Sequence, residues 1–100
     1  MKNDLLKIIN EYGLMKQLKY FQTEVFELNQ AIIEYHYDEN KSYKIIETHL
    51  KNHIAEEIAD VLVMLGQFKE YLGITDEQVK EVMEFKIQRQ LERIREEKEK

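Results

Sequence analysis

One hundred residues, 43% apolar and 35% charged with a formal charge of −5, make one domain, residues 1–100, with a modest core under a charged surface. Zero cysteines exclude disulfides, thiolate metal sites and thiol nucleophiles, and zero prolines with three glycines leave too little punctuation for a β-sandwich or barrel. The longest apolar run, Val61 to Leu65, falls far short of the roughly 18 residues of a membrane span. The chain opens on an amphipathic stretch instead of a signal peptide, so a cytoplasmic protein without a membrane partner is expected. The net acidity argues against a general nucleic-acid binder, since phosphate contacts need a basic face. Residues 86–100 carry six Lys/Arg and four Asp/Glu, which leaves the rest of the chain at −7.

In chain order, Asp4 can cap a short helix through Leu5, Leu6, Ile8 and Ile9, which Gly13 ends by taking the left-handed conformation. From Leu14 to about His36, apolar residues at Leu18, Phe21, Val25, Leu28 and Ile32 step by three and four, one face of a second helix. Residues 37–42 have no periodicity and read as a connection, with Ser42 a candidate cap. Apolar positions then recur from Tyr43 to Phe68, as one long helix or two collinear ones, and Gly73 closes this unit. Thr75 or Asp76, followed by Glu77 and Gln78, offers the next N-cap. A fourth helix runs through Val79, Val82, Met83, Ile87, Leu91 and Ile94 into a charged tail, residues 95–100, expected to fray. The expected fold is all-α, a four-helix bundle that assembles as a homo-oligomer because four helices of this length bury little alone.

The chemistry lies in the acids beside the stripes. Glu24 and Glu27 are three apart on the second helix and Glu57 and Asp60 three apart on the third, so each pair projects from one helix face beside apolar neighbours. Packing through those stripes gathers four carboxylates whose mutual repulsion calls for a positive partner. Oxygen-only ligation selects Mg²⁺ or Mn²⁺, with water and substrate phosphate completing the shell. His49, His53 and Glu57 share a face that could hold Zn²⁺, but neither HExxH nor a third histidine accompanies them. No Glu-x-x-His occurs, which disfavours a ferritin-like di-iron site. Tyr12, Tyr20, Phe21 and Tyr35 could include a base-stacking ring, though such aromatics commonly serve core or subunit interface.

The paired motif, Glu24-Val25-Phe26-Glu27 and Glu57-Ile58-Ala59-Asp60, resembles that of the MazG-like all-α nucleoside triphosphate pyrophosphohydrolases, relatives of dimeric dUTPases and phosphoribosyl-ATP pyrophosphohydrolases. The surrounding residues Tyr12-Gly13, Gln17, Glu27-Leu28, Ala31-Ile32 and Glu56 through Leu62 are similar too, and the resemblance covers roughly residues 9–94. The chain departs from the family's pattern at Thr23, where many members carry Glu, and at Gln90, where many carry Asn. The resemblance implies the MazG fold, a dimer or tetramer with shared sites, and Mg²⁺-dependent cleavage of a nucleoside triphosphate to a monophosphate and pyrophosphate. It implies metal ligation by Glu24, Glu27, Glu57 and Asp60, with Glu24 or Glu27 also orienting or deprotonating the attacking water. Glu56 points about 100° away from Glu57 and reads as a solvated acid. Lys86 and Arg89 share a face of the last helix and could clamp phosphate oxygens, or simply pair with Glu92 or Glu96. The rival reading is a non-catalytic helical adaptor or coiled-coil interaction module. An adaptor has no reason to place four acids beside its packing stripes.

Overall fold

The computed structural model describes residues 1–38 and 43–99, and every regular element in them is a helix: α1 (Lys2–Tyr12), α2 (Leu14–Tyr37), α3 (Lys44–Leu72) and α4 (Asp76–Lys98). The stretch from Lys44 to Leu72 is one continuous helix rather than two. Ser42, the candidate cap, lies outside the described residues, and Tyr43 occupies the N-cap position.

Two expectations about caps are corrected. The first helix starts at Lys2 with Met1 as its N-cap, so Asp4 stands in the first turn, where its charge complements the exposed N–H groups. Gly13 has φ 91° and ψ 147°, which is not the left-handed helical conformation. The reason is that Gly13 serves two helices at once. Its N–H donates to the Ile9 carbonyl while its own carbonyl accepts from Gln17, and an N-cap requires an extended ψ. Only glycine combines that ψ with a positive φ at low cost.

Gly73 behaves as expected. It is left-handed (φ 69°, ψ 25°), its N–H donates to the Glu70 carbonyl, and the Ile74 N–H reaches the Lys69 carbonyl, a Schellman motif. Two residues later Thr75 caps α4 in a full capping box: its hydroxyl accepts from the Gln78 N–H, and the Gln78 side chain accepts from the Thr75 N–H at 2.8 Å. Residues 95–98, expected to fray, are helical. Arg95 pairs with Glu92 one turn back, and Glu, Lys and Arg are strong helix formers.

Helices α2 and α3 pack antiparallel. Gln17 meets Gln67, Phe21 meets Phe68 edge to face at 5.4 Å, and near the other end the Tyr35 hydroxyl donates to Glu47 at 3.1 Å. Helix α1 crosses them at Gly66, where an added Cβ would stand 2.9 Å from the Leu5 side chain. The Leu5 side chain packs into the space that the glycine leaves on α3. Ile9, Ala31 and Met64 are the buried apolar residues among those described, against four buried polar ones, Gln17, Glu24, Glu57 and Gln67. The centre of this three-helix unit is therefore a polar seam with thin apolar flanks.

Only α1 to α3 pack together, so the expected four-helix bundle is not completed within one chain. Helix α4 buries no residue, and its stripe stands open, with Phe85 65% and Leu91 53% exposed. It is tethered by the Gly73 turn and by Asp76, whose carboxylate bridges Lys69 of α3 and Lys2 of α1. The radius of gyration is 17.6 Å, against about 13 Å for a compact chain of this length.

Candidate functional site

Three of the four motif acids converge. Carboxylate oxygens of Glu24, Glu57 and Asp60 all lie within 4.8 Å of one another across the α2–α3 seam. The helix period explains the meeting: Glu57 and Asp60 lie three apart on one face of α3, and antiparallel packing sets Glu24 opposite them. Glu24 is 6% exposed and Glu57 9%, while Asp60 is open to solvent. One oxygen of each buried acid, Oε2 of Glu24 and Oε2 of Glu57, has no hydrogen-bond partner.

Such an arrangement is costly as it stands. Burial pushes the Glu24 carboxyl above the usual range, and the neighbouring charges of Asp60 and Glu27 push it the same way. The Tyr20 hydroxyl is raised as well, chiefly by the Glu24 charge. Among the described residues no Lys or Arg is ion-paired with the three acids, and the nearest positive candidate is His53, whose Nε2 stands 3.9 Å from Glu57 Oε1. Two buried, unpartnered carboxylate oxygens beside a third, wetter carboxylate form an oxygen-only donor set that fits a hard divalent cation.

The site opens into a cleft of about 460 Å³ between α1, α2 and α3. Glu24 and Asp60 stand in one part of its wall, Gln17 and Gln67 in another, and Tyr12 and Tyr20 flank it. Among the described residues that line it Lys16 is the one cation, and its Nζ sits 5.2 Å from the Tyr12 ring centre. This volume is within the range of small-molecule sites.

The remaining sequence candidates fall elsewhere. Glu27 is exposed and outside the close group, acting on Glu24 only through its charge. Glu56 is exposed, as expected from its place on the helix. Lys86 and Arg89 are exposed on α4 and do not line the cleft, and the Arg89 guanidinium lies over the Phe85 ring at 5.8 Å. His49 and His53 join no close group of potential ligands among the described residues. Phe21 is a packing residue against Phe68, and Tyr35 is engaged with Glu47.

Sequence reasoning missed Lys16 and Gln67 as lining residues. A signal existed for Gln67: seven residues separate it from Asp60, as seven separate Gln17 from Glu24, so each helix repeats an amide and an acid on one face. In comparisons with known proteins, no family model, curated protein or solved structure matches the chain.

Proposed function

We propose that the chain is a Mg²⁺-dependent nucleoside triphosphate pyrophosphohydrolase of the MazG-like kind, Mn²⁺ being a possible substitute. The observation that carries the reading is the pair of buried, unpartnered oxygens on Glu24 and Glu57, clustered with Asp60 at the edge of an open cleft. Bound divalent cations would neutralise charge developing on the phosphates and make a coordinated water more acidic. The chain's own residues do the rest. Glu24, Glu57 and Asp60 hold the cation, and Glu27, at the exposed rim, orients the attacking water and takes its proton. In this reading Lys86 and Arg89 meet phosphate oxygens across a subunit contact made by α4.

Self-association belongs to the same proposal. A compact 12.2 kDa monomer exposes about 6,100 Å². This chain exposes 8465 Å². The excess, about 2,400 Å², is of the size that obligate homodimers remove from solvent. The open α4 stripe also favours the rival, a helical interaction module, which predicts assembly without turnover.

A panel of nucleoside triphosphates with Mg²⁺, scored for pyrophosphate release, separates the two. Wild type should give monophosphate and pyrophosphate, and Asp60→Asn, which removes a charge while keeping the side chain's size, should be inactive yet folded. Orthophosphate appearing first, with a diphosphate left behind, contradicts the reading. Full activity in Asp60→Asn removes the proposed site.

A further inference from the structure

The acids use only part of the cleft. About 10 Å along α2 and α3 from Glu24 and Asp60, seven residues at 1.5 Å each, Gln17 and Gln67 face one another. Gln17 Nε2 donates to Gln67 Oε1 at 2.8 Å, and Gln67 Nε2 donates to the Met64 sulfur at 3.6 Å. These side chains are 7% and 2% exposed. Two primary amides in a helix seam are a poor way to fill it, because burying an amide costs free energy unless all its groups are paired. The Gln67 amide is satisfied, its N–H turned to a weak sulfur acceptor, whereas the Gln17 carbonyl oxygen accepts no protein hydrogen bond and is not sealed from solvent, so it stands available at the cleft that Gln17 lines.

A carbonyl acceptor beside an N–H donor on one rigid amide complements a ring edge that carries an adjacent donor and acceptor. Nucleobase edges have that character, and stacking aromatics are their usual companions. Tyr12 and Tyr20 supply such rings at the cleft's sides, both more than half exposed, with the Lys16 ammonium over the Tyr12 ring. The spacing along the helices suits a nucleoside lying lengthwise, with its base at the amides and its phosphates at the acids.

We propose that the Gln17–Gln67 pair is the base-reading end of the cleft, with Gln17 hydrogen-bonding the base edge and Gln67 holding Gln17 in position. The proposal rests on the pyrophosphohydrolase reading for the phosphate end alone. Base recognition needs neither the metal nor the acids, so the two ends can be tested apart.

The test is titration of unphosphorylated nucleosides into the full chain without metal, followed by NMR of the glutamine side-chain amides and tyrosine rings. Ribose 5-phosphate serves as the baseless control. Nucleosides should shift the signals of Gln17, Gln67 and Tyr20, and ribose 5-phosphate should not. Q17L/Q67L should lose about tenfold or more in affinity. The double change removes both partners together, which spares the fold an orphaned amide, and Tyr20→Ala, at an exposed position, gives an independent loss of stacking. Undiminished nucleoside binding in Q17L/Q67L overturns the proposal, as does a wild type whose signals do not move at saturating nucleoside. Nucleoside binding at the amides without pyrophosphate release would uphold this site and sink the hydrolase reading.

Discussion

Glu24 is where burial, like charge and a missing partner coincide, and its titration gives the reading a thermodynamic handle. Because its folded-state carboxyl is raised, the folded chain binds this proton more tightly than the unfolded chain does. Without metal, this group should make the protein more stable as pH falls through the raised value toward the ordinary carboxylate range, and less stable as pH rises again. Asp76 works the other way. Lys69 holds its carboxyl below the usual range, so its contribution is present above the ordinary Asp value and is lost as pH falls through the depressed one. Calorimetric scans between about pH 4 and 7 should show the Glu24 slope, and saturating Mg²⁺ should reverse it, since proton and cation compete for the same oxygens. Glu24→Gln should raise the metal-free melting temperature by a few degrees and abolish the rise that millimolar Mg²⁺ produces in wild type. At a hundred times its Kd, Mg²⁺ should stabilise wild type by about 2.7 kcal/mol. If Mg²⁺ leaves the melting curves of wild type and Glu57→Gln indistinguishable, the metal site is wrong. The acids were legible in the sequence because i,i+3 spacing is a local property. The contact between Gln17 and Gln67, fifty residues apart, emerges only once α2 and α3 are packed.

At the scale of elements, the Thr75 capping box and the Gly73 turn act on α4 alone, because no buried contact ties that helix to the cleft. Thr75→Ala should cost α4 about 1 kcal/mol, and Gly73→Ala, forced into the left-handed region, a similar amount. Circular dichroism should register the loss of helix while the Mg²⁺-induced stabilisation of α1 to α3 stays in place. Both features were readable as short motifs. The Gly13 conformation was not, because it depends on α2 starting at the very next residue, and the same glycine then has to close one helix and open another. The long α3 was ambiguous for a related reason: an apolar period does not say whether the backbone is interrupted.

Across the whole molecule, the four stripes announced an all-helical chain but not which stripe would find a partner within it. Hydrophobic periodicity identifies a face to be covered and leaves open whether the cover comes from the same chain. Light scattering at micromolar concentration should give a dimer or tetramer, and a monodisperse 12.2 kDa particle would count against a shared site. Leu91→Lys, on the open stripe, should weaken assembly without disturbing the acid cluster, with sedimentation velocity as the measurement.

The open face of α4 has a consequence for how this molecule responds to its own abundance. A 23-residue helix that buries nothing is only marginally stable by itself. If α4 is the face through which the chain associates, as proposed above, its order and that association are two descriptions of one equilibrium, and dilution should melt α4 before it touches α1 to α3. Helix content measured across a dilution series would fall in step with particle mass, and any chemistry that draws on Lys86 and Arg89 would fade along the same curve. The proposed activity would then rise with the concentration of the chain.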